Sequence, residues 1–127
     1  MPERRFVRTE GAPEPIGPYS QAVLVGNTVW CAGQIGIDPR TGLLVSGGAA
    51  AQMERALMNL SAVLEEAGAG LHSVVKTTIY LKSMADFPSV NDVYAKSFRA
   101  SRPARSTVEV SALPKGALVE IEAVAVI

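Results

Sequence analysis

The chain has 127 residues, enough for one domain with a hydrophobic core and too few for two ordinary ones, so we expect a single domain over residues 1–127. Apolar residues make up 48% and charged residues 19%, which argues against disordered and fibrous classes. Basic and acidic side chains balance at 12 each, whereas nucleic-acid binders usually carry a basic excess, so no DNA or RNA partner is expected.

The single cysteine and the N-terminal segment bear on the compartment. Because Cys31 has no second cysteine to pair with, an internal disulfide framework is impossible and a reducing cytoplasm fits best. Residues 1–15 combine charges with proline and glycine and contain no apolar run. We therefore expect neither a signal peptide nor a membrane anchor, and a soluble cytoplasmic protein.

A β-hairpin and a long helix are the first elements predicted in chain order. Two runs rich in valine, leucine and tryptophan within residues 19–32 flank Gly26 and Asn27, which tolerate the positive φ angles of a tight turn. Residues 38–42, with the sequence DPRTG, are typical of a surface reversal. Apolar residues then recur at steps of three and four, which predicts a helix over residues 48–67.

A strand, a second helix and two further strands follow. Residues 73–81 are dense in β-branched side chains and indicate a buried strand. A helix is expected over residues 87–98, with Asp86 as its N-cap. Residues 105–110 and 118–126 complete the prediction as two strands joined by a loop.

This order of elements predicts an α+β fold, a mixed β-sheet with both helices on one face. In the last strand, apolar residues occur on both faces, for example Ile121 on one and Val124 on the other. The face opposite the helices therefore needs a cover, and another copy of the same sheet is the simplest one. The sequence thus predicts a homo-oligomer.

Several kinds of site are not expected. His72, the only histidine, lies between a glycine-rich helix end and a strand, which is typical of a solvated loop residue and not of a catalytic or metal-binding one. The glycines that open the first helix match neither a phosphate loop nor a dinucleotide fingerprint. Nucleotide cofactors are therefore not expected.

The last two strands carry an arginine and two glutamates. If these strands pair antiparallel, with 105 opposite 122 and 107 opposite 120, one face holds Arg105, Thr107, Glu120 and Glu122. Two interpretations stay open at this point. The charges form an ion pair that neutralises a buried strand end, or Arg105 binds a small carboxylic acid faced by a glutamate.

Five segments in consistent order, between about residues 8 and 126, resemble the reactive intermediate deaminase family, often called RidA or YjgF-type. They read IGPYSQAV, AGQIGIDPRTG, VVKTTIYL, PARSTVEV and LPKGALVEIEAVAV. The resemblance implies a chorismate-mutase-like fold, assembled as a homotrimer around a central β-barrel with ligand clefts between subunits. It also implies hydrolysis of 2-aminoacrylate and 2-iminobutanoate to 2-oxo acids and ammonia, without cofactor or metal, by a 2-iminobutanoate/2-iminopropanoate deaminase.

The resemblance also implies roles for individual residues. Arg105 corresponds to the arginine that binds the substrate carboxylate, and Glu120 to the glutamate that positions water. Tyr19 corresponds to a tyrosine that reaches the cleft from a neighbouring subunit. Gly33 and Thr107 correspond to positions whose backbone N–H groups contact the ligand.

Other residues depart from the family pattern or have a plain structural interpretation. Many members carry serine where this chain has Ala32, and many bacterial members carry cysteine where it has Thr107. Cys31 is interpreted as a small core residue and not as a nucleophile. Trp30 and Phe98 are interpreted as packing residues.

Two alternative functions remain. A trimer that binds small carboxylates or proteins without turnover would keep the same cleft. Some relatives are described as translation inhibitors or single-strand ribonucleases, but zero net charge, one histidine and few aromatic residues argue against that activity here.

Overall fold

A six-stranded mixed β-sheet organises the computed structural model, which describes residues 3–127. The strands are β1 (Arg4–Val7), β2 (Ala22–Val25), β3 (Thr28–Ile35), β4 (Ile37–Asp38), β5 (Leu43–Leu44), β6 (Val74–Leu81), β7 (Ala104–Glu109) and β8 (Val119–Val126). The large sheet has the order β1-β2-β3-β8-β6-β7, and β4 and β5 form a separate two-stranded ribbon. The predicted α+β architecture is confirmed.

The predicted hairpin and surface reversal are both present. Strands β2 and β3 pair antiparallel around Gly26, whose φ of 61° requires the left-handed conformation that glycine adopts without strain. At the reversal between β4 and β5, the amide of Gly42 donates to the carbonyl of Asp38 at 2.8 Å. Local turn chemistry was sufficient to predict both features.

Both predicted helices are confirmed, and they lie on one face of the sheet. Helix α1 (Gly48–Glu66) contacts β3 and β8, and helix α2 (Phe87–Phe98) packs beside α1. The hydroxyl of Tyr94 on α2 is 2.8 Å from Thr77 Oγ1 on β6, which joins α2 to the same face. Asp86 is the N-cap residue of α2, as predicted, but its side chain makes no capping hydrogen bond to the helix.

The hydrophobic core lies between the helices and the sheet. Alternate residues of β8 point into it, and the fully buried large side chains include Met53, Leu60, Leu64, Phe98, Ile79 and Ile121. Complete burial of a side chain of this size contributes about 1.5–3 kcal/mol each. Cys31 is also buried in this core, as predicted, and burial raises the pKa of its thiol to about 12.

The predicted antiparallel pairing of the last two strands is wrong. Strand β7 pairs parallel with β6, and β8 pairs antiparallel with the other side of β6. The reason is the path of the chain. Helix α2 connects β6 to β7 as a crossover, which is the connection that parallel neighbours need, so β8 takes the remaining side of β6.

This topology separates the residues that were expected to share a face. Arg105 pairs with Thr77, a buried residue bonded to α2, so Arg105 and Thr107 belong to the face that carries the helices. Glu120 pairs with Tyr80 and alternates with the buried residues of β8, so it belongs to the opposite face. A strand register decides which face a side chain takes.

The face opposite the helices stays open in the protomer. Trp30 and Val126 on this face are 54% and 40% exposed, and Val108 is also exposed. The interpretation of Trp30 as a packing residue is therefore wrong within one protomer. Among residues 3–127, no helix has the length and apolar character needed to cross a membrane.

Candidate functional site

Arg105 lies near the start of β7 and extends over helix α2. Its guanidinium carbon is 5.2 Å from the ring centroid of Phe87 and 4.9 Å from that of Tyr94. Its Nη1 donates a hydrogen bond to Asn91 Oδ1 at 2.6 Å. A guanidinium that lies on aromatic rings is held in orientation while several of its five N–H donors stay available.

Helix α2 provides this support through its spacing. Phe87, Asn91 and Tyr94 follow one another at intervals of four and three, so they lie on one side of the helix. Tyr94 is 6% exposed, and burial raises the pKa of its phenol, so this ring is a neutral platform beneath the cation. Sequence reasoning missed Asn91, although its place one turn after Phe87 was a usable signal.

A cavity of about 400 Å³ opens beside Arg105. We call it the arginine pocket. Its lining comes from the C-terminal part of α2 and from the chain that leads into β7, with Asn91, Tyr94, Ala95, Phe98, Arg99, Arg102, Pro103 and Arg105 as its lining residues. Three arginines and no acidic side chain line this pocket, so its electrostatic potential is positive.

A second, smaller cavity of about 80 Å³ is lined by Tyr19, Gly33 and Glu120 together with Glu14, Lys115 and apolar and amide side chains. We call it the glutamate pocket. Tyr19 is 53% exposed, and its hydroxyl accepts a hydrogen bond from the amide of Ile16 at 3.4 Å. Lys115 was not predicted to take part, and the Pro-Lys-Gly turn that carries it gave no signal of chemistry.

Gly33 and Glu120 touch because β3 is irregular at this point. The register between β3 and β8 shifts between Cys31 and Gln34, a β-bulge of the kind that often re-aims side chains near functional sites. A Cβ atom on residue 33 would lie 2.3 Å from Glu120 Oε2. Glycine is therefore required at 33 for the carboxylate to occupy this place.

Glu120 is partly buried, and its carboxyl is available for chemistry. Burial raises its pKa, and the nearby charge of Glu122 raises it further. Glu122 itself accepts a hydrogen bond from the Tyr80 hydroxyl at 2.7 Å, which raises the pKa of Tyr80 to about 12. Within residues 3–127 Glu120 forms neither a salt bridge nor a side-chain hydrogen bond.

Thr107 lies on the same side of β7 as Arg105. Its hydroxyl oxygen is buried and has no hydrogen-bond partner among residues 3–127. Buried polar groups are nearly always paired, so this atom has unused capacity for a hydrogen bond. It stands apart from the glutamate pocket, whose lining does not include it.

The predicted site residues thus form two groups in one protomer. Tyr19, Gly33 and Glu120 meet in the glutamate pocket, while Arg105 and Thr107 lie on β7 on the other face of the sheet. Neither pocket has a lining residue of the other. The protomer therefore contains two separate pockets with complementary chemistry, a cation in one and a carboxyl in the other.

The remaining polar candidates add no further site. His72 is exposed in the short turn between α1 and β6, as predicted. Within residues 3–127 there is no group of three or more histidine, cysteine, aspartate or glutamate side chains able to hold a metal ion.

Comparison with known proteins identifies the family. The family described as Endoribonuclease L-PSP matches residues 9–127. A RutC family protein of Pyrococcus abyssi is 54% identical over 122 residues, 96% of this chain and 96% of that protein. The human protein named 2-iminobutanoate/2-iminopropanoate deaminase is 50% identical over 123 residues, 97% of this chain and 90% of that protein.

A solved structure agrees with this assignment. The crystal structure of a Yersinia pestis protein of the conserved Rid family is 47% identical, with a TM-score of 0.95, and the match covers 98% of this chain and 100% of that one. The chain therefore belongs to the L-PSP family, and its relatives include Rid and RutC proteins.

Proposed function

We propose that the protein hydrolyses 2-imino acids to 2-oxo acids and ammonia. The substrates include 2-iminobutanoate, and also 2-iminopropanoate, which forms when 2-aminoacrylate tautomerises. The observation that carries this proposal is the pair of complementary pockets, with an oriented arginine and a partly buried glutamate on opposite faces of the sheet. The deaminase name of a relative that is 50% identical supports the same substrates.

The proposed site is a cleft between subunits. We propose a homotrimer around a central β-barrel, in which the arginine pocket of one subunit faces the glutamate pocket of its neighbour. The open sheet face, with exposed Trp30 and Val126, is apolar enough to require a cover of this kind. In this arrangement Tyr19, Gly33 and Glu120 belong to one subunit, and Arg105 and Thr107 belong to the next.

Arg105 would hold the substrate by its carboxylate. A guanidinium matches a carboxylate with two parallel N–H···O bonds, and the aromatic rings beneath it limit its motion. The backbone N–H groups of Gly33 and Thr107 and the hydroxyl of Tyr19 would complete the contacts. The substrate C2 atom is then presented to one water molecule in a single orientation.

Glu120 would handle the protons. Water adds to C2 as the C=N π electrons move to nitrogen, and the nitrogen takes up a proton. The proton of the new hydroxyl group then passes to nitrogen, and the C–N bond breaks toward nitrogen as the C=O bond forms, which releases ammonia and the 2-oxo acid. A carboxyl with a raised pKa is suited to take a proton from water and return it to the leaving nitrogen.

Direct turnover tests this proposal against a trimer that only binds ligands. Purified protein is added to threonine and threonine dehydratase, and the decay of 2-iminobutanoate is followed with and without the protein. We expect faster decay with the protein. A protein that binds 2-oxobutanoate but leaves imine decay at the rate seen in buffer would be a binding protein and not a deaminase.

A further inference from the structure

The arginine pocket carries more positive charge than one carboxylate requires. Arg99 and Arg102 line it beside Arg105, and no aspartate or glutamate does. None of these three arginines forms a salt bridge within residues 3–127. Three like charges around a cavity of about 400 Å³ repel one another until an anion joins them, so the pocket is suited to a ligand with more than one negative group.

The structure of the α2 C-terminus accounts for the position of Arg99 but not for that of Arg102. Arg99 is the C-cap residue, where a cation interacts favourably with the helix dipole. Arg102 lies beyond the helix with a φ of 50°, in the left-handed region where glycine is usual. Its amide donates to the Phe98 carbonyl at 2.9 Å, which holds the backbone in this conformation.

In this left-handed conformation arginine has a higher backbone energy than glycine, because its Cβ crowds the backbone. Backbone strain of this kind concentrates at functional sites, where the side chain is needed. The Arg102 Nε also donates to the Arg99 carbonyl at 3.4 Å, which keeps its side chain beside the helix end that lines the pocket. The backbone strain at Arg102, its position beside the pocket and the absence of an acidic partner together indicate that its side chain binds a ligand.

On the basis of the proposed function, we infer that the preferred substrates are 2-imino dicarboxylic acids. Arg105 binds the carboxylate next to C2, and Arg102 with Arg99 binds the distal carboxylate. Ala95 and Pro103, which are partly exposed in the lining, provide an apolar wall for the carbon atoms between the two groups. The chemical step is unchanged: water adds at C2, ammonia leaves, and the product is a 2-oxo dicarboxylic acid.

The test compares two imines with the same protein. 2-Iminosuccinate is generated from aspartate by an aspartate oxidase, and 2-iminobutanoate from threonine by threonine dehydratase. We expect kcat/KM to be about tenfold higher for the dicarboxylic imine, the effect of one added charge-assisted contact. Turnover of 2-iminobutanoate with no preference for 2-iminosuccinate would overturn this inference and leave the deaminase proposal standing. No turnover of either imine would remove both.

A variant at residue 102 separates charge from folding. Arg102→Gly removes the cation and suits a φ of 50°, so the folded protein should keep its thermal midpoint. We expect the ratio of kcat/KM for 2-iminosuccinate to that for 2-iminobutanoate to fall about tenfold. Lys96→Ala removes one charge from the same helix outside the pocket and should leave the ratio unchanged. An unchanged ratio in Arg102→Gly would contradict the inference.

Discussion

In the proposed reaction, the arginine pocket recognises the substrate and the glutamate pocket performs the chemical step. The first is a cavity of about 400 Å³ lined by three exposed cations, and the second is about 80 Å³ with a partly buried carboxyl beneath a glycine. An exposed arginine keeps its charge and binds anions, whereas burial raises the pKa of a glutamate and so makes its carboxyl better able both to take and to return a proton. The difference teaches that one pocket provides cations for binding an anion, and the other provides a carboxyl able to exchange a proton.

Removing the anion-binding group should have the largest effect. We expect Arg105→Lys to lower kcat/KM for imines at least about 100-fold, because an ammonium cannot form the paired hydrogen bonds of a guanidinium. The measurement is imine decay at several substrate concentrations. Arg40→Lys, at an exposed residue paired with Asp38, is the matched control and should keep full activity. Full activity in Arg105→Lys would remove Arg105 from the mechanism.

Loss of the Glu120 carboxyl should have the next largest effect on activity. Mixing this variant with an Arg105 variant should restore part of the activity. We expect Glu120→Gln to lower kcat about 100-fold, a usual contribution of a general acid–base group. If each site joins two subunits, trimers reassembled from Arg105→Ala and Glu120→Gln chains contain some sites with both native groups. Mixed trimers should therefore recover part of the wild-type activity. Mixed trimers as inactive as their parents would contradict a shared site.

A methyl group at residue 33 should have a smaller effect. The Cβ of Gly33→Ala would lie 2.3 Å from Glu120 Oε2, so the carboxyl must move. We expect kcat to fall about tenfold, because a displaced catalytic group loses its orientation. Gly17→Ala is the control, since its Cβ would be 3.6 Å from the Tyr19 ring, an ordinary contact. Equal activity in both variants would show that the exact position of the Glu120 carboxyl is not critical for catalysis.

The unpaired hydroxyl of Thr107 should influence stability more than catalysis. Thr107→Val removes a buried polar atom without a partner, so we expect a gain of about 1 kcal/mol in the free energy of unfolding. The same change at Thr77 should destabilise the protein by about 1–3 kcal/mol, because it leaves the Tyr94 hydroxyl unpaired. Urea unfolding measures both. A loss of stability in Thr107→Val would mean that the hydroxyl has a partner.

The pH dependence of stability gives the smallest expected effect. Because the folded protein raises the pKa of Glu120, its contribution is present below the unfolded pKa and is lost as pH rises through the folded pKa. Glu120→Gln keeps the carboxyl place neutral. Its thermal midpoint should therefore exceed that of the wild type at pH 7 and approach it near about pH 4. A constant difference between the two proteins would argue against the raised pKa.

Local patterns predicted most of the fold, including the β2–β3 hairpin, while the pairing of strands distant in sequence was not predictable. The bounds of α1 and α2 follow from apolar spacing along the chain, which needs no knowledge of distant residues. The pairing of β7 with β6 depends on a crossover helix and on which side of the sheet stays free. Strand β1 was missed because its first three residues are exposed and give no apolar alternation.

The candidate site was predicted in its residues and not in its arrangement. Arg105 and Glu120 were found because their types and surrounding segments match a known family. Their separation onto opposite faces depends on the place of β6 between β7 and β8, which no local pattern encodes. The contact of Gly33 with Glu120 depends on a bulge in β3, which is equally silent in the sequence.

The unit formed by α2 and β7 has one more consequence. Asn91, Arg99, Arg102, Arg105 and Thr107 all lie within residues 87–107, whereas Tyr19, Gly33 and Glu120 are scattered along the chain. Under the proposed function, the residues that select the substrate are therefore contained in one continuous segment of the chain. A graft of this single stretch between relatives should carry acid preference with it and leave the hydrolytic apparatus in place.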